Sequence, residues 1–280
     1  MIRKDLIEND QELRELLKNC VQDILSTDKY KNFLECMANF PSYSYNNQLL
    51  IFMQKPNAKK VQSFNRWKKL GTKEQPVHVK QGEKGIVILA PILIKEKDKD
   101  GNVVLDENGN EKIAFVKYRH VYVFAEDQVE GYVLPSLTNE LEGDVARYDA
   151  FVQKFVDLSP VPVEFVSSDA WTHEDNYGEY LATKNVIEIK RGLSQKQTFK
   201  TLISSIAEAM QKDDCNYKEK KLRAESVAFN VCHYLGIDTS EYSFGYIAEQ
   251  VEGNIDTLMD NMKAISQTTK EMVLQLVKGK

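Results

Sequence analysis

The run from Ser194 to Gly236, SQKQTFKTLISSIAEAMQKDDCNYKEKKLRAESVAFNVCHYLG, constrains this 280-residue chain more than any other stretch. Ser194 followed three residues on by Gln197 is a capping-box start. Phe199, Leu202, Ile203, Ile206 and Met210 then recur at the spacing of one helical face, which predicts a core helix. A second helical pattern follows, with Leu222, Val227, Phe229, Val231 and Leu235 apolar and Gly236 as its C-terminal stop.

The run TLISSIAEAM resembles TLIHEIAHAM, the zinc-binding helix of the gluzincin-like metallopeptidase domain in ArdC-like proteins, which plasmids, phages and conjugative elements carry. RAESVAFNVCHYLG resembles the helix that supplies that family's third ligand, and DTSEYSFGYIAE the segment after it. GEYLATKNVIEIKRGLSQKQTFKT is similar to the strand pair and turn that enter the zinc helix. The resemblance implies a zincin-like fold.

It fails at the residues that do the chemistry. An H-E-x-x-H helix presents two imidazoles to one ion from successive turns, with a glutamate between them as general base. The matching positions here are Ser204, Ser205 and Glu208, and only Glu225 on the second helix keeps the ligand type expected. A neutral hydroxyl is a poor zinc ligand, and Ser205 has no basicity near neutral pH with which to activate water. The family expects zinc, but its ligands are lost, so the reading is a pseudoenzyme with no catalytic residue and no cofactor.

Two alternatives keep chemistry at the site. Glu208 and Glu225 remain as oxygen ligands for magnesium or calcium, although two carboxylates make an incomplete shell. A peptidase with a rebuilt metal site would recruit His233 or His173. His233 lies eight residues beyond Glu225, about 80° around the helix, and His173 sits in the polar stretch WTHEDNYG.

At 280 residues and 42% apolar composition the chain has the bulk for two domains. The longest apolar run, Ile86 to Ile94, is interrupted by Pro91 and is too short to cross a bilayer. The polar start MIRKDLIEND does not read as a signal peptide. Cys20, Cys36, Cys215 and Cys232 have no C-x-x-C spacing, which suits ordinary thiols in a reducing cytoplasm.

The net charge of −5 conceals a division. Residues 1–95 hold 16 Lys and Arg against 10 Asp and Glu, whereas the rest holds 21 against 32. Within residues 43–95 the ratio is 10 to 2, which points that part towards a polyanion.

Helices are expected over Asp10 to Ser26 and Lys29 to Asn39, and Pro41 ends the pattern. The stretch that follows, YSYNNQLLIFMQKPNAKKVQSFNRWKKLGTKEQPVHVKQGEKGIVILAPI, resembles the N-terminal single-stranded-DNA-binding domain of ArdC-like proteins, also found in plasmid primases of the TraC type. The carriers of the likeness are YSYNNQLLI, KPNA, FNRWKKLG and KQGEKGI. The composition supports the same function, because single strands are held by basic grooves and aromatic platforms. The DNA-contacting candidates are Tyr43, Tyr45, Lys55, Lys59, Lys60, Arg66, Trp67, Lys68, Lys69, Lys80 and Lys84. Phe52 beside Leu49, Leu50 and Ile51 reads as core, while Tyr43, Tyr45 and Trp67 read equally as platforms or as core. Gly82 and Gly85 bracket a turn that places Lys80 and Lys84 at its rim. No Walker motif is present, so nucleotide hydrolysis is not indicated.

IVILAPILIKEK, GNVVLDE and EKIAFVKYRHVYVFAED are expected as antiparallel strands joined by polar turns. The expected fold is α+β in two domains: an ArdC-like strand-binding domain over residues 1–125, a linker over 126–143, and a zincin-like domain over 144–280. In the second, a helix from about Asp144 to Leu158 leads through strands at Val161 to Val166, Gly178 to Ala182 and Val186 to Lys190, and a helix from about Ile255 to Val277 closes the chain. The expected function is single-stranded DNA binding for a mobile genetic element, with an antirestriction or DNA-protecting role implied by the resemblance alone. A third class remains open, in which the acidic second domain binds and inhibits a host defence protein.

Overall fold

The computed structural model describes residues 10–24, 27–133, 145–172, 176–212, 215–239, 244 and 255–278. The chain is mixed α and β, and its contacts divide it into two units: Met1–Leu17 with Leu50–Val133, and Lys18–Leu49 with Leu134–Lys280.

Helices α1 (Asp10–Ile24) and α3 (Tyr45–Gln54) contribute residues to both units, and α2 (Thr27–Asn39) belongs wholly to the second. The division therefore differs from a boundary near residue 125. The physical reason is the apolar face of residues 30–40. Tyr30, Phe33, Leu34 and Met37 are fully buried, and Tyr30 bonds Ser226 and stacks edge-on against Phe244. These early helices complete the core of the later ones.

The first unit is built on a sheet of order β1–β4–β3, from β1 (Val61–Gln62), β3 (Ile86–Lys95) and β4 (Ile113–Ala125), all antiparallel. A second pair joins β2 (His78–Val79) to β5 (Val129–Glu130). Residues 126–133 are thus part of this unit, through a 3-10 turn at Glu126–Gln128 and strand β5, and not a linker; residues 134–143 lie outside the described residues. GNVVLDE makes only isolated bridges, Lys97 with Val103 and Leu105 with Glu111, in place of the expected strand. Asp98 and Asp106 instead turn the backbone on itself, each carboxylate accepting amide hydrogens two and four residues on.

The base of this unit is fastened by polar side chains that bracket backbone groups. Gln54 donates to the Val87 carbonyl and accepts from its amide, closing the outer edge of β3 there. Glu126 accepts the amides of Lys59 and Lys60, which fixes the loop after α3. Helix α4 (Phe64–Leu70) starts at Ser63, whose hydroxyl accepts the Arg66 amide.

In the second unit the strands β6 (Val163–Val166), β8 (Val186–Lys190) and β7 (Gly178–Leu181) form a sheet in that order, β6 parallel and β7 antiparallel to β8. Helix α5 (Val145–Leu158) and helix α6 (Gln195–Ala209) meet through Phe155 and Phe199, with centroids 5.9 Å apart. A Cβ at Gly178 would lie 2.4 Å from a Thr201 methyl carbon, so the glycine admits α6 against β7. Helices α7 (Tyr217–Tyr234) and α8 (Ile255–Lys278) carry a buried polar seam, Arg223 to Asn261 and Asn230 to Thr269. Ser266 reaches Gln48, whose amide donates to the Phe40 carbonyl. Among the described residues no helix is long and apolar enough to cross a membrane.

Candidate functional site

The basic segment follows from α3 onwards. Tyr45 is buried and its hydroxyl donates to the Met262 sulfur, while Tyr43 is half-buried with its ring 5.9 Å from that of Phe40. Burial also drives the Tyr45 phenol pKa far above its usual value, so it stays protonated. Trp67 is 0% exposed. Its indole N–H donates to the Phe124 carbonyl at 2.8 Å, and it packs with Val77, Val129 and Tyr132. Trp67 and Tyr45 are therefore core residues and offer no platform for a base. The reason is local: Ser63 starts α4 in a register that turns Trp67 inward while Phe64, Arg66, Lys68 and Lys69 face solvent.

The cations divide into two sets. Lys55 pairs with Asp127 at 2.7 Å, Lys80 donates to the Asp127 carbonyl, and Lys60 donates to the Tyr132 hydroxyl at 2.6 Å while lying over that ring. These three help to hold the unit together. Lys59, Arg66, Lys68, Lys69 and Lys84 stand exposed on it. The turn before β3 is tied down by Gln128, whose amide reaches the Glu83 carboxylate and the Lys84 carbonyl.

Sequence reasoning passed over the β3–β4 hairpin as a surface. Tyr118 is 65% exposed and Leu93 58%, and Phe115, Val116 and Tyr122 are also exposed. The signal was available: IVILAPILIK and IAFVKYRHVYVFA are apolar at nearly every position, without the alternation of a half-buried strand.

The α6–α7 seam holds Ser204, Ser205, Glu208 and Glu225. Ser204 donates to Glu225 Oε1 at 2.9 Å, and the Lys200 ammonium lies 3.8 Å from Glu225 Oε2. One turn further along α6, Glu208 takes a 2.8 Å ion pair from Lys221. Desolvation works against the Lys221 charge, but the hydrogen bond and charge of Glu208 outweigh it and raise its pKa above 10.5. Ser205 is buried. This donor set does not fit zinc: one hydroxyl and two carboxylates, each carboxylate held by an ammonium of the chain itself. Among the described residues no group of three or more His, Cys, Asp or Glu is placed to hold a metal. His233 stacks on Phe229 with an interplanar angle of 16° and borders a shallow cleft of about 410 Å³ with Lys31, Glu35 and Asp238. His173 lies outside the described residues.

The geometry defines a class: an α+β chain whose first unit, on a small antiparallel sheet, carries the exposed cations Lys59, Arg66, Lys68, Lys69 and Lys84, with a helix-rich second unit. Residues 8–124 match the N-terminal domain of anti-restriction factor ArdC. The crystal structure of the antirestriction ArdC protein from plasmid R388, metal-free, is similar over 84% of this chain and 86% of that chain, at 16% identity and a TM-score of 0.50. The Mn(II)-bound structure of that protein is similar over 85% and 86%, at 14% identity and a TM-score of 0.48. No curated protein matches the chain. Residues 8–124 thus match the ArdC N-terminal domain, and the chain shares the fold of the ArdC structure.

Proposed function

We propose that the chain binds single-stranded DNA through its first unit, in the cytoplasm, as an antirestriction or DNA-protecting factor of a mobile genetic element. The observation that carries this reading is the match of residues 8–124 to the ArdC N-terminal domain, within which Lys59, Arg66, Lys68, Lys69 and Lys84 are all exposed. Phosphates attract such side chains without regard to sequence, and counterion release supplies the affinity.

The second unit, in the same proposal, is a zincin-like fold without peptidase chemistry. The ion pairs of Glu208 with Lys221 and of Glu225 with Lys200 support this, because an arriving divalent cation must displace an ammonium built into the chain. No residue at the position of the general base has the basicity to activate water, since Ser205 stands there.

The test pairs gel shifts with labelled single- and double-stranded oligonucleotides against metal analysis of the full chain after dialysis with a mild chelator. The proposal expects a single-strand shift and less than stoichiometric zinc. No shift at about 50 mM salt, where electrostatic attraction is strong, would sink the DNA-binding reading and direct attention to the acidic part as a docking surface for a host protein. Near one zinc per chain would sink the inactive-site reading.

A further inference from the structure

Strands β3 and β4 pair from Ile86 with Val123 to Ile94 with Phe115, a long two-stranded ladder. Beyond its base the ladder leaves its core: β4 is exposed from Ile113 to Arg119 and β3 from Pro91 to Leu93. Among the described residues, the strand ladder on the outer edge of β4 is the short one with β1, at Phe124 and Ala125. Exposed apolar hairpins with open edges favour aggregation, and surfaces of this kind usually mark a binding function.

Its two faces differ in chemistry. Alternation places Tyr118, His120 and Tyr122 on one face of β4, at steps of about 7 Å. That step is roughly twice the 3.4 Å spacing along one strand of duplex DNA, which suits bases drawn apart from one another. The opposite face of the same strand carries Lys117 and Arg119, with the Lys117 ammonium 5.6 Å from the Phe115 ring centroid. The two strands contain three cations, Lys95, Lys117 and Arg119, and no carboxylate. Lys95 is paired with Glu111 at 2.6 Å.

The ring ladder is seated by the glycine of the turn. A Cβ at Gly85 would lie 2.9 Å from Tyr122 Cβ and 3.0 Å from its ring carbon Cδ1, so the absence of a side chain at Gly85 lets Tyr122 lie against the strand. His120 stands edge-on to Tyr122 with centroids 6.2 Å apart. The second glycine of KQGEKG, read from sequence only as part of a turn, thus positions an exposed aromatic ring.

We propose that the outer edge of the β3–β4 hairpin is where single-stranded DNA is read, with bases stacking on Tyr118 and Tyr122 and phosphates met by Lys117 and Arg119. This rests on the single-strand-binding function proposed above and moves the aromatic platforms from Trp67 and Tyr45 to the hairpin. A polyanion suits the surface better than an acidic or neutral protein segment does. Extended bases satisfy exposed rings and cations together, and stacking tolerates any sequence.

The test measures anisotropy of a fluorescein-labelled 20-nucleotide oligothymidine against the full chain at several salt concentrations. Y118A/Y122A should weaken binding about tenfold or more, as loss of stacked bases does, with the salt slope unchanged. K117A/R119A should flatten the log–log salt slope by about 1.4, two phosphates' worth. Thermal melts of both variants should match the parent, because all four side chains are at or near the surface. Gly85→Ala should lower affinity in the same direction by displacing Tyr122. Parent-like affinity in Y118A/Y122A, with the parent binding well, overturns the hairpin site and leaves single-strand binding standing. Absence of binding by the parent overturns both. A change in sedimentation from dimer to monomer in Y118A/Y122A, without loss of DNA affinity, assigns the face to self-association and overturns the proposal.

Discussion

The Lys221 ammonium lies 2.8 Å from Glu208 Oε2, so that the Glu208 carboxylate on α6 is neutralised by the neighbouring helix. Both side chains are largely buried, at 31% and 12% exposure, and the pair is closer to an internal salt bridge than to a surface one. A double-mutant cycle with Glu208→Gln and Lys221→Met should give a coupling of about 1–2 kcal/mol in thermal or urea unfolding. Additivity within about 0.3 kcal/mol would mean that the contact contributes nothing.

The same pair sets a pH dependence. Lys221 has a folded pKa above its ordinary 10.5, so its contribution is fully present below that value and is lost as pH rises through the raised folded value. Melting temperatures compared between the parent and Lys221→Met should therefore differ by a constant amount through neutral pH and converge only above about pH 10.5.

Restoring the motif by Ser204→His, Ser205→Glu and Glu208→His removes the partner of Lys221 and leaves an ammonium beside the rebuilt site. Zinc affinity, read by competition with a chromogenic chelator, should be higher when Lys221→Ala is added. Equal affinity with and without that change would place Lys221 outside the reach of the metal. The buried position of Ser205 also predicts that the glutamate there is the costly member of the set.

Ile203 and Ile206 are both fully buried on α6. Each truncation to alanine should cost roughly 2–5 kcal/mol, whereas Ser204→Ala, which loses one hydrogen bond to Glu225, should cost about 1 kcal/mol. Trp67→Ala should cost about 3–5 kcal/mol, because it opens a cavity and removes the indole hydrogen bond to the Phe124 carbonyl. Near-parent melting of Trp67→Ala would return the indole to the surface.

The register of α6, its cap at Ser194 and the strand pair before it could be read from the chain because local signals agree there: a hydroxyl cap, a 3.6-residue apolar stripe, and turns around Asn185 and Gly192. The unit boundary could not. Tyr30 and Phe33 look like any apolar helix face, and nothing local says that their cover comes from residues about 200 positions later, such as Ser226. A fragment ending at residue 125 therefore strips residues 18–49 of their core, which is why the tests use the full chain. Trp67 was ambiguous for a similar reason. Flanking Arg66 and Lys68 suggest a surface, yet helical rotation of about 100° per residue separates their directions. The hairpin was missed because unbroken apolar strands usually predict burial on both faces.

The most direct test of the DNA-binding account is the salt dependence of oligonucleotide affinity for the full chain, measured with single-stranded and duplex forms of one sequence. Four to six engaged cations predict a log–log slope of roughly −3 to −4 for the single strand, with weaker binding of the duplex, whose bases are hidden. A duplex bound as tightly as the single strand, or a slope near zero, would contradict it.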